Sequence, residues 1–311
     1  MAINGDIDIQ QLTTYTSRNT AYVSLQREIE NLLDRAGIYY RVFARSKAPA
    51  SIKAKLDRKG AQYKVNNKKM QDLIGVRIVL YFSDDINICK DLINGKFVID
   101  DENSEIDKLK VDTFEPARFN LICKMPDGVA DMYQSKLWEE YPIDKTFEVQ
   151  IRTIFSEGWY EVEHDVRYKH KSDWRSPQYD EYSRFLSSIL ATLEMCDSSM
   201  IHLMDKMAYN AYRNSSVEEM LRYKFRIRFE GGLKGDLKKL LIENKDLLKK
   251  VFRSSRDDLI QALSSKSLEM LPNTMDNIIY ICNLIDMKDE AISAITPNAV
   301  IEHAKDLQKE A

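Results

Sequence analysis

The chain has 311 residues, of which 44% are hydrophobic, and its 46 Lys and Arg stand against 49 Asp and Glu for a net charge of −3. That length and apolar share suit one large domain or two ordinary ones with packed cores, and the near-balanced charge excludes a bulk attraction for nucleic acid, so any anionic ligand needs a local cluster. Cys89, Cys123, Cys196 and Cys282 stand far apart with no CxxC pair, which argues against a zinc site or a disulfide framework and reads as buried thiols in a reducing compartment.

Taken in chain order, Tyr22, Leu25, Ile29, Leu32, Leu33 and Ala36 recur at helical spacing and predict a first helix over 17–37, with Gly37 placed to end it. Residues 38–45 alternate and are rich in Tyr, Val and Phe, as a strand requires, and Pro49 restarts helical spacing. IGVRIVLYF over 74–82 is the strongest strand signal, followed by Ser83-Asp84-Asp85 as the start of a short helix ending near Gly95. Phe119 to Lys124 and Thr146 to Arg152 supply further strands, separated by a loop containing Pro126, Asp127 and Gly128. From Ile154 the pattern is helical almost throughout, in stretches near 154–170, 178–207, 216–229, 236–252, 256–265, 274–286 and 297–309. The expected fold class is therefore α/β (α+β), a mixed sheet flanked by helices over residues 1–208, with an all-helical region over 209–311. The N-terminal MAINGDIDIQ has no basic segment ahead of an apolar one and no apolar run reaches the length of a membrane span, so a cytoplasmic protein without a membrane partner is expected.

The chemistry gathers in the first region. In Thr146-Phe-Glu-Val-Gln-Ile-Arg152 the side chains of Glu148, Gln150 and Arg152 share one face of a strand, and Phe147, Val149 and Ile151 the other. A wet sheet face explains an isolated strand of this kind. Two companions point further: Asp72, just ahead of the strand that carries Arg77, and the basic set Arg45, Lys47, Lys53 and Lys55. Phosphoryl transfer needs a polyphosphate neutralised and a metal held by hard oxygens, and Asp72 with Glu148 suffices for Mg2+, which takes one or two carboxylates plus substrate oxygens.

Three segments, Arg45-x-Lys47 with Ser51-Ile-x-x-Lys55, Asp72-x-x-Gly75-x-Arg77, and Glu148-Val-Gln150-Ile-Arg152-Thr153, closely resemble the synthetase motifs of the RelA/SpoT family in order and spacing. Trp159-x-x-x-Glu163-His164-x-x-x-Tyr168-Lys169 resembles the helix that follows in small alarmone synthetases. The resemblance covers about residues 17–206 and implies a nucleotidyltransferase-like synthetase domain that transfers pyrophosphate from ATP to the 3′-hydroxyl of GDP or GTP. It makes Arg45, Lys47, Ser51, Lys55 and Arg77 the ATP contacts, Asp72 a magnesium ligand, and Glu148 a second metal ligand or the general base. Gln150 and Arg152 then face the acceptor.

The chain departs from the family at the acceptor loop. Where the family reads Gly-Tyr-x-Ser-x-His, this chain reads Thr113-Phe-Glu-Pro-Ala-Arg-Phe119. Phe114 takes the place of the stacking tyrosine and Arg118 is placed to hold an acceptor phosphate, while Phe119 reads as core. An adenine nucleotide, or the 3′ end of tRNA as in toxic members of the family, fits this departure about as well as GDP, and a catalytically silent nucleotide sensor is a third reading. The C-terminal helices are expected to regulate, to self-associate or to dock an antitoxin. The lysine-rich stretch 235–252 and Lys224-Phe-Arg-Ile-Arg-Phe229 read first as ordinary amphipathic segments, and His164 as structural.

Overall fold

The computed structural model describes residues 8–16, 20–65, 68–106, 119–168, 176–265, 268 and 270–305. Phe114, Arg118 and Lys169 lie outside them. The elements run α1 (Ile9–Thr16), α2 (Ala21–Ala36), β1 (Tyr40–Ser46), α3 (Pro49–Val65), β2 (Ile74–Leu80), α4 (Asp85–Lys96), β3 (Glu105–Ile106), β4 (Phe119–Lys124), α5 (Asp127–Ala130), α6 (Ser135–Glu140), β5 (Thr146–Thr153) and α7 (Ile154–Glu163). After α7 follow α8 (Asp180–Arg213), α9 (Val217–Phe225), α10 (Gly235–Glu243), α11 (Lys245–Arg253), α12 (Arg256–Leu263), α13 (Met275–Cys282), α14 (Glu290–Ile295) and α15 (Asn298–His303).

The chain forms two compact units that are not consecutive stretches of sequence. One comprises residues 1–30, 41–79 and 93–191, the other 31–40, 80–92 and 192–311. The sequence reading divided the chain once, at 208/209; the structure places the change inside α8 and assigns two earlier segments to the second unit. Those segments are held by packing and ion pairs with residues more than a hundred positions away, which no local pattern reveals.

The five strands form one sheet in the order β1-β2-β5-β4-β3. Backbone hydrogen bonds from Lys47 N to Leu73 O and from Tyr81 N to Tyr39 O make β1 and β2 antiparallel and set Phe43 opposite Arg77. A parallel bridge between Met70 and Ile143 precedes β2 and β5. β4 is antiparallel to β5, with Asn120 opposite Gln150 and Ile122 opposite Glu148. One face of the sheet is dry: Phe147 and Val149 are 0% exposed and Ile151 1%, and Phe97 meets Phe147 edge-on at 5.2 Å. Burial of each such side chain contributes about 1.5–3 kcal/mol. Phe119, expected in the core, is only half-buried at the start of β4.

In the second unit Gly37 ends α2 at φ +71°, and a side chain there would meet Asn273 at 3.1 Å and Ile227 at 3.2 Å, so glycine fits both the backbone and the packing. The expected helix over 235–252 is two helices: the Asn244 side chain accepts from Leu247 N and caps α11, because Asn favours a helix start over a helix interior. Leu237, Leu241, Leu247 and Leu248 are buried, the amphipathic arrangement expected. The expected helix over 216–229 stops at Phe225, where Arg226 turns left-handed. The loop expected around Pro126 is instead the short α5 and α6, and α14 was not anticipated. Cys89, Cys123 and Cys282 are buried, and burial pushes the Cys123 and Cys282 thiols up to about 12. Cys196 is exposed on α8, contrary to the sequence reading. No helix among the described residues is long and apolar enough to cross a membrane.

Candidate functional site

The polar face of the sheet carries the site. Asp72 sits between β1 and the start of β2, where the Lys47 N to Leu73 O bond fixes the chain. Its Oδ2 accepts from Lys47 Nζ at 2.7 Å and Lys55 Nζ at 2.6 Å. Burial alone works to raise this carboxyl, but the two ammonium groups outweigh it and hold Asp72 below the ordinary range. Its Oδ1 is buried without a hydrogen-bond partner among the described residues, a costly state unless a ligand completes it. Lys53 turns instead to Asp57 one turn along α3, at 3.3 Å, and is not part of the cluster.

Glu148, on β5, accepts from Gln150 Nε2 at 3.0 Å. Burial pushes its carboxyl above the ordinary value, and the neighbouring Asp72 charge adds to the rise. Gln150 also approaches Arg77 Nε at 3.4 Å. The capping box at the β5–α7 junction, with Ser156 N donating to Thr153 Oγ1 at 3.1 Å and Thr153 N to Ser156 Oγ at 2.9 Å, folds α7 back over the polar residues. From α7, Glu157 holds Arg77 Nη1 at 2.5 Å and Glu161 contacts the same nitrogen. Tyr160 lies under the Arg152 guanidinium, 4.3 Å from its ring centroid, while Arg152 Nη2 donates to Asn120 Oδ1 at 3.0 Å. Trp159 is buried and donates to Leu186 O at 3.0 Å.

Lys47, Lys55, Asp72 and Glu148 thus gather at one point, with Gln150, Arg77 and Arg152 along the same face. Arg45 and Ser51 are exposed, on β1 and α3 respectively, and neither joins the Asp72 cluster. His164 is exposed beside Asp165, 3.2 Å from it, and the described residues hold no group of three or more His, Cys, Asp or Glu suited to a metal. Asp72 and Glu148 with an orphaned Oδ1 nevertheless fit magnesium, which takes few protein ligands when a substrate supplies the rest.

Several participants were missed by the sequence reading. Glu157 and Glu161 carry an i, i+4 signal on α7, although their target, Arg77, lies far away in sequence. Asn120 is visible only once the β4–β5 register is known. Lys55, Lys59 and Tyr63 stand at i, i+4 and i+8 on α3, a periodicity available in the sequence and not used. All three line a cavity of about 220 Å³ together with Lys68, Asp72 and Glu148.

The polar face of the mixed sheet thus brings two carboxylates to a pair of lysines. Residues 44–173 match the family model described as "Region found in RelA / SpoT proteins". Among solved structures the chain is similar to the small alarmone synthetase 1 from Bacillus subtilis bound to its product pppGpp, at 22% identity over 63% of this chain and 97% of that one, TM-score 0.47. It is also similar to a GTP pyrophosphokinase family protein from Streptococcus pneumoniae, at 20% identity over 61% of this chain and 90% of that one, TM-score 0.42. No curated protein matches the chain.

Proposed function

We propose that this protein is an ATP-dependent nucleotide pyrophosphokinase that moves the terminal diphosphate of ATP to the 3′-hydroxyl of a nucleotide and releases AMP. The observation that carries the reading is the Asp72 cluster within the RelA/SpoT region: one carboxylate ionised between two lysines, and a second whose burial raises its pKa beside it.

The two carboxylates divide the work. Asp72, kept ionised by Lys47 and Lys55, is the metal-side acid, with its Oδ1 free for coordination. Asp72 would hold magnesium, which would supply charge neutralisation for the ATP phosphates. Glu148, made more basic by burial, accepts the proton of the acceptor hydroxyl. The acceptor oxygen forms its bond to the β-phosphorus as the bond from that phosphorus to the α-bridging oxygen breaks, and the electron pair leaves with AMP. Lys47 and Lys55 can turn from Asp72 to the phosphates, because an ammonium on a flexible stem accommodates several acceptors. Arg45, exposed on the edge strand, Ser51 at the start of α3, and Arg77 contact the donor nucleotide, while Gln150 and Arg152 face the acceptor.

The test is incubation with ATP labelled on the γ-phosphate, magnesium and, separately, GDP, GTP, ADP, AMP or bulk tRNA. Acceptor-dependent AMP with label on the acceptor supports the reading and names the acceptor class. ADP in place of AMP overturns it, because the bond broken would then be the β–γ bond of a kinase or ATPase.

A further inference from the structure

The lysine-rich α11 carries a single aromatic side chain, Phe252, and the second unit brings two more to it from α8. Tyr212 stacks on Phe252, with ring centroids 4.8 Å apart and planes 19° from parallel, and Tyr209 stands 6.3 Å from the same ring. Tyr212 and Phe252 are half-buried where the two helices meet, and Lys224 Nζ lies 5.9 Å from the centre of the Phe252 ring. Tyr209 keeps 48% of its surface in solvent. Cations flank these rings on both helices. Lys206, Tyr209 and Arg213 stand at i, i+3 and i+7 on α8, and Lys245, Lys249, Phe252 and Arg253 at i, i+4, i+7 and i+8 on α11, so each set shares one face of its helix. Lys206, Arg213, Lys245, Lys249 and Arg253 are exposed, and none of them makes an ion pair among the described residues. Between Lys206 and Arg213 there is no acidic side chain, and α11 has only Asp246.

We infer that this face of α8 and α11 binds single-stranded RNA, with an unpaired base stacked on Tyr209 beside the Tyr212–Phe252 pair and the phosphates passing along the five flanking cations. The inference is independent of the pyrophosphokinase reading, because all of these residues lie in the second unit. With a net charge of only −3 on the whole chain, a local cluster of this kind is what attracts a polyanion. Cations alone would serve any polyanion; a partly open aromatic cluster among them selects one that also offers exposed π-faces, as an unpaired strand does. A duplex keeps its bases stacked inside and leaves the rings unused. An anionic membrane would need the apolar face of the helix, and Leu247, Leu248 and Val251 of α11 are buried. Loops and ends of RNA are where unpaired bases are chiefly presented to proteins, which makes RNA the source of the strand.

The experiment is fluorescence anisotropy of the intact chain with a labelled oligouridylate of about 15 nucleotides, with a DNA strand and an RNA duplex of the same length, over a range of salt concentrations. The expected result is saturable binding of the RNA strand, tighter than of the duplex. Tyr209→Ala should weaken it by about fivefold or more, whereas Tyr209→Phe, which keeps the ring, should retain it. K245A/K249A/R253A should weaken it too and lower the slope of log affinity against log salt by about 2, since each phosphate contact on a single strand contributes ~0.7. The substituted side chains are exposed, and an unchanged melting temperature checks that each variant is folded. Absence of saturable binding, a duplex bound more tightly than the strand, or binding that ignores either Tyr209→Ala or the triple substitution overturns the inference. A DNA strand bound more tightly than the RNA overturns the assignment to RNA.

Discussion

Each unit holds a knot of carboxylates and cations, and the two knots differ in how they are enclosed. In the second unit Asp85 is fully buried and receives Arg256 Nη2 at 2.6 Å, while Arg256 Nε donates to Phe225 O at 2.7 Å. Arg226 joins Asp84, and reaches Asp205 at 3.1 Å. Planar guanidinium forks, 6–7% exposed, clamp Asp84 and Asp85 to the helical segments, although Arg226 Nε, Arg256 Nη1 and Asp85 Oδ2 are buried without a hydrogen-bond partner among the described residues and Asp84 and Asp205 keep part of their surface in solvent. In the first unit the cations are lysines on flexible stems, 22–23% exposed, and both sit on one oxygen of Asp72. A rigid, sealed network holds a fold together; a half-open one with exchangeable partners admits a ligand. The same distinction accounts for Lys224-Phe-Arg-Ile-Arg-Phe229: Phe225 and Ile227 are buried, Arg226 belongs to the arginine knot, and Arg228 pairs with Asp34 at 3.1 Å, the structural role expected for the segment.

The sharpest break of this comparison is functional. Glu148→Gln and Asp72→Asn are expected to lower AMP formation by about 10²- to 10⁴-fold. Glu148→Gln should melt no lower than the parent, since burial disfavours its ionised form in the folded state. A variant with full activity would remove the acid pair from the mechanism. Next in size, Arg256→Ala in the sealed knot should cost about 3–5 kcal/mol in denaturant unfolding. Lys47→Ala in the open cluster should cost at most ~1 kcal/mol; equal losses would erase the distinction.

A pH series sharpens it further. Burial raises Asp85 from 3.8 to about 6 despite the Arg256 charge. The folded state then binds the proton more tightly than the unfolded one, so this group's contribution to stability falls as pH rises from 3.8 to about 6. Asp85→Asn should flatten that part of the stability profile, and an unchanged slope would assign it elsewhere. The smallest expected effect is at the α7 clamp: Glu161→Gln, by releasing one carboxylate from Arg77, should lower the KM for ATP by up to about fivefold. A higher KM would mean that Glu161 positions Arg77 for ATP and does not compete with it.

Much of the site is legible in the sequence. The alternation Phe147-Glu148-Val149-Gln150-Ile151-Arg152 specifies one dry and one polar face through the two-residue period of a strand, and the structure shows that separation. Asp72, Lys47 and Lys55 were singled out from motif spacing and are found in contact. What was misread follows from cues that local patterns do not carry. The break at Asn244 depended on a cap competing with a continuous amphipathic pattern. Lys53 was grouped with Lys55 although the two point to different faces of α3.

By itself, then, the sequence determined which residues form four of the five strands, which face of β5 is dry, and which charged residues belong to the motif, because periodicity and residue chemistry act over a few neighbouring positions. Only the tertiary structure decided that Glu157 and Glu161 reach Arg77, that Lys59, Lys68 and Lys69 share a cavity with Asp72 and Glu148, and that residues 31–40 and 80–92 belong with the C-terminal helices. Those outcomes depend on sheet order, on where α7 folds back, and on ion pairs such as Asp85–Arg256 across 171 positions of chain, whose formation no short window of sequence records.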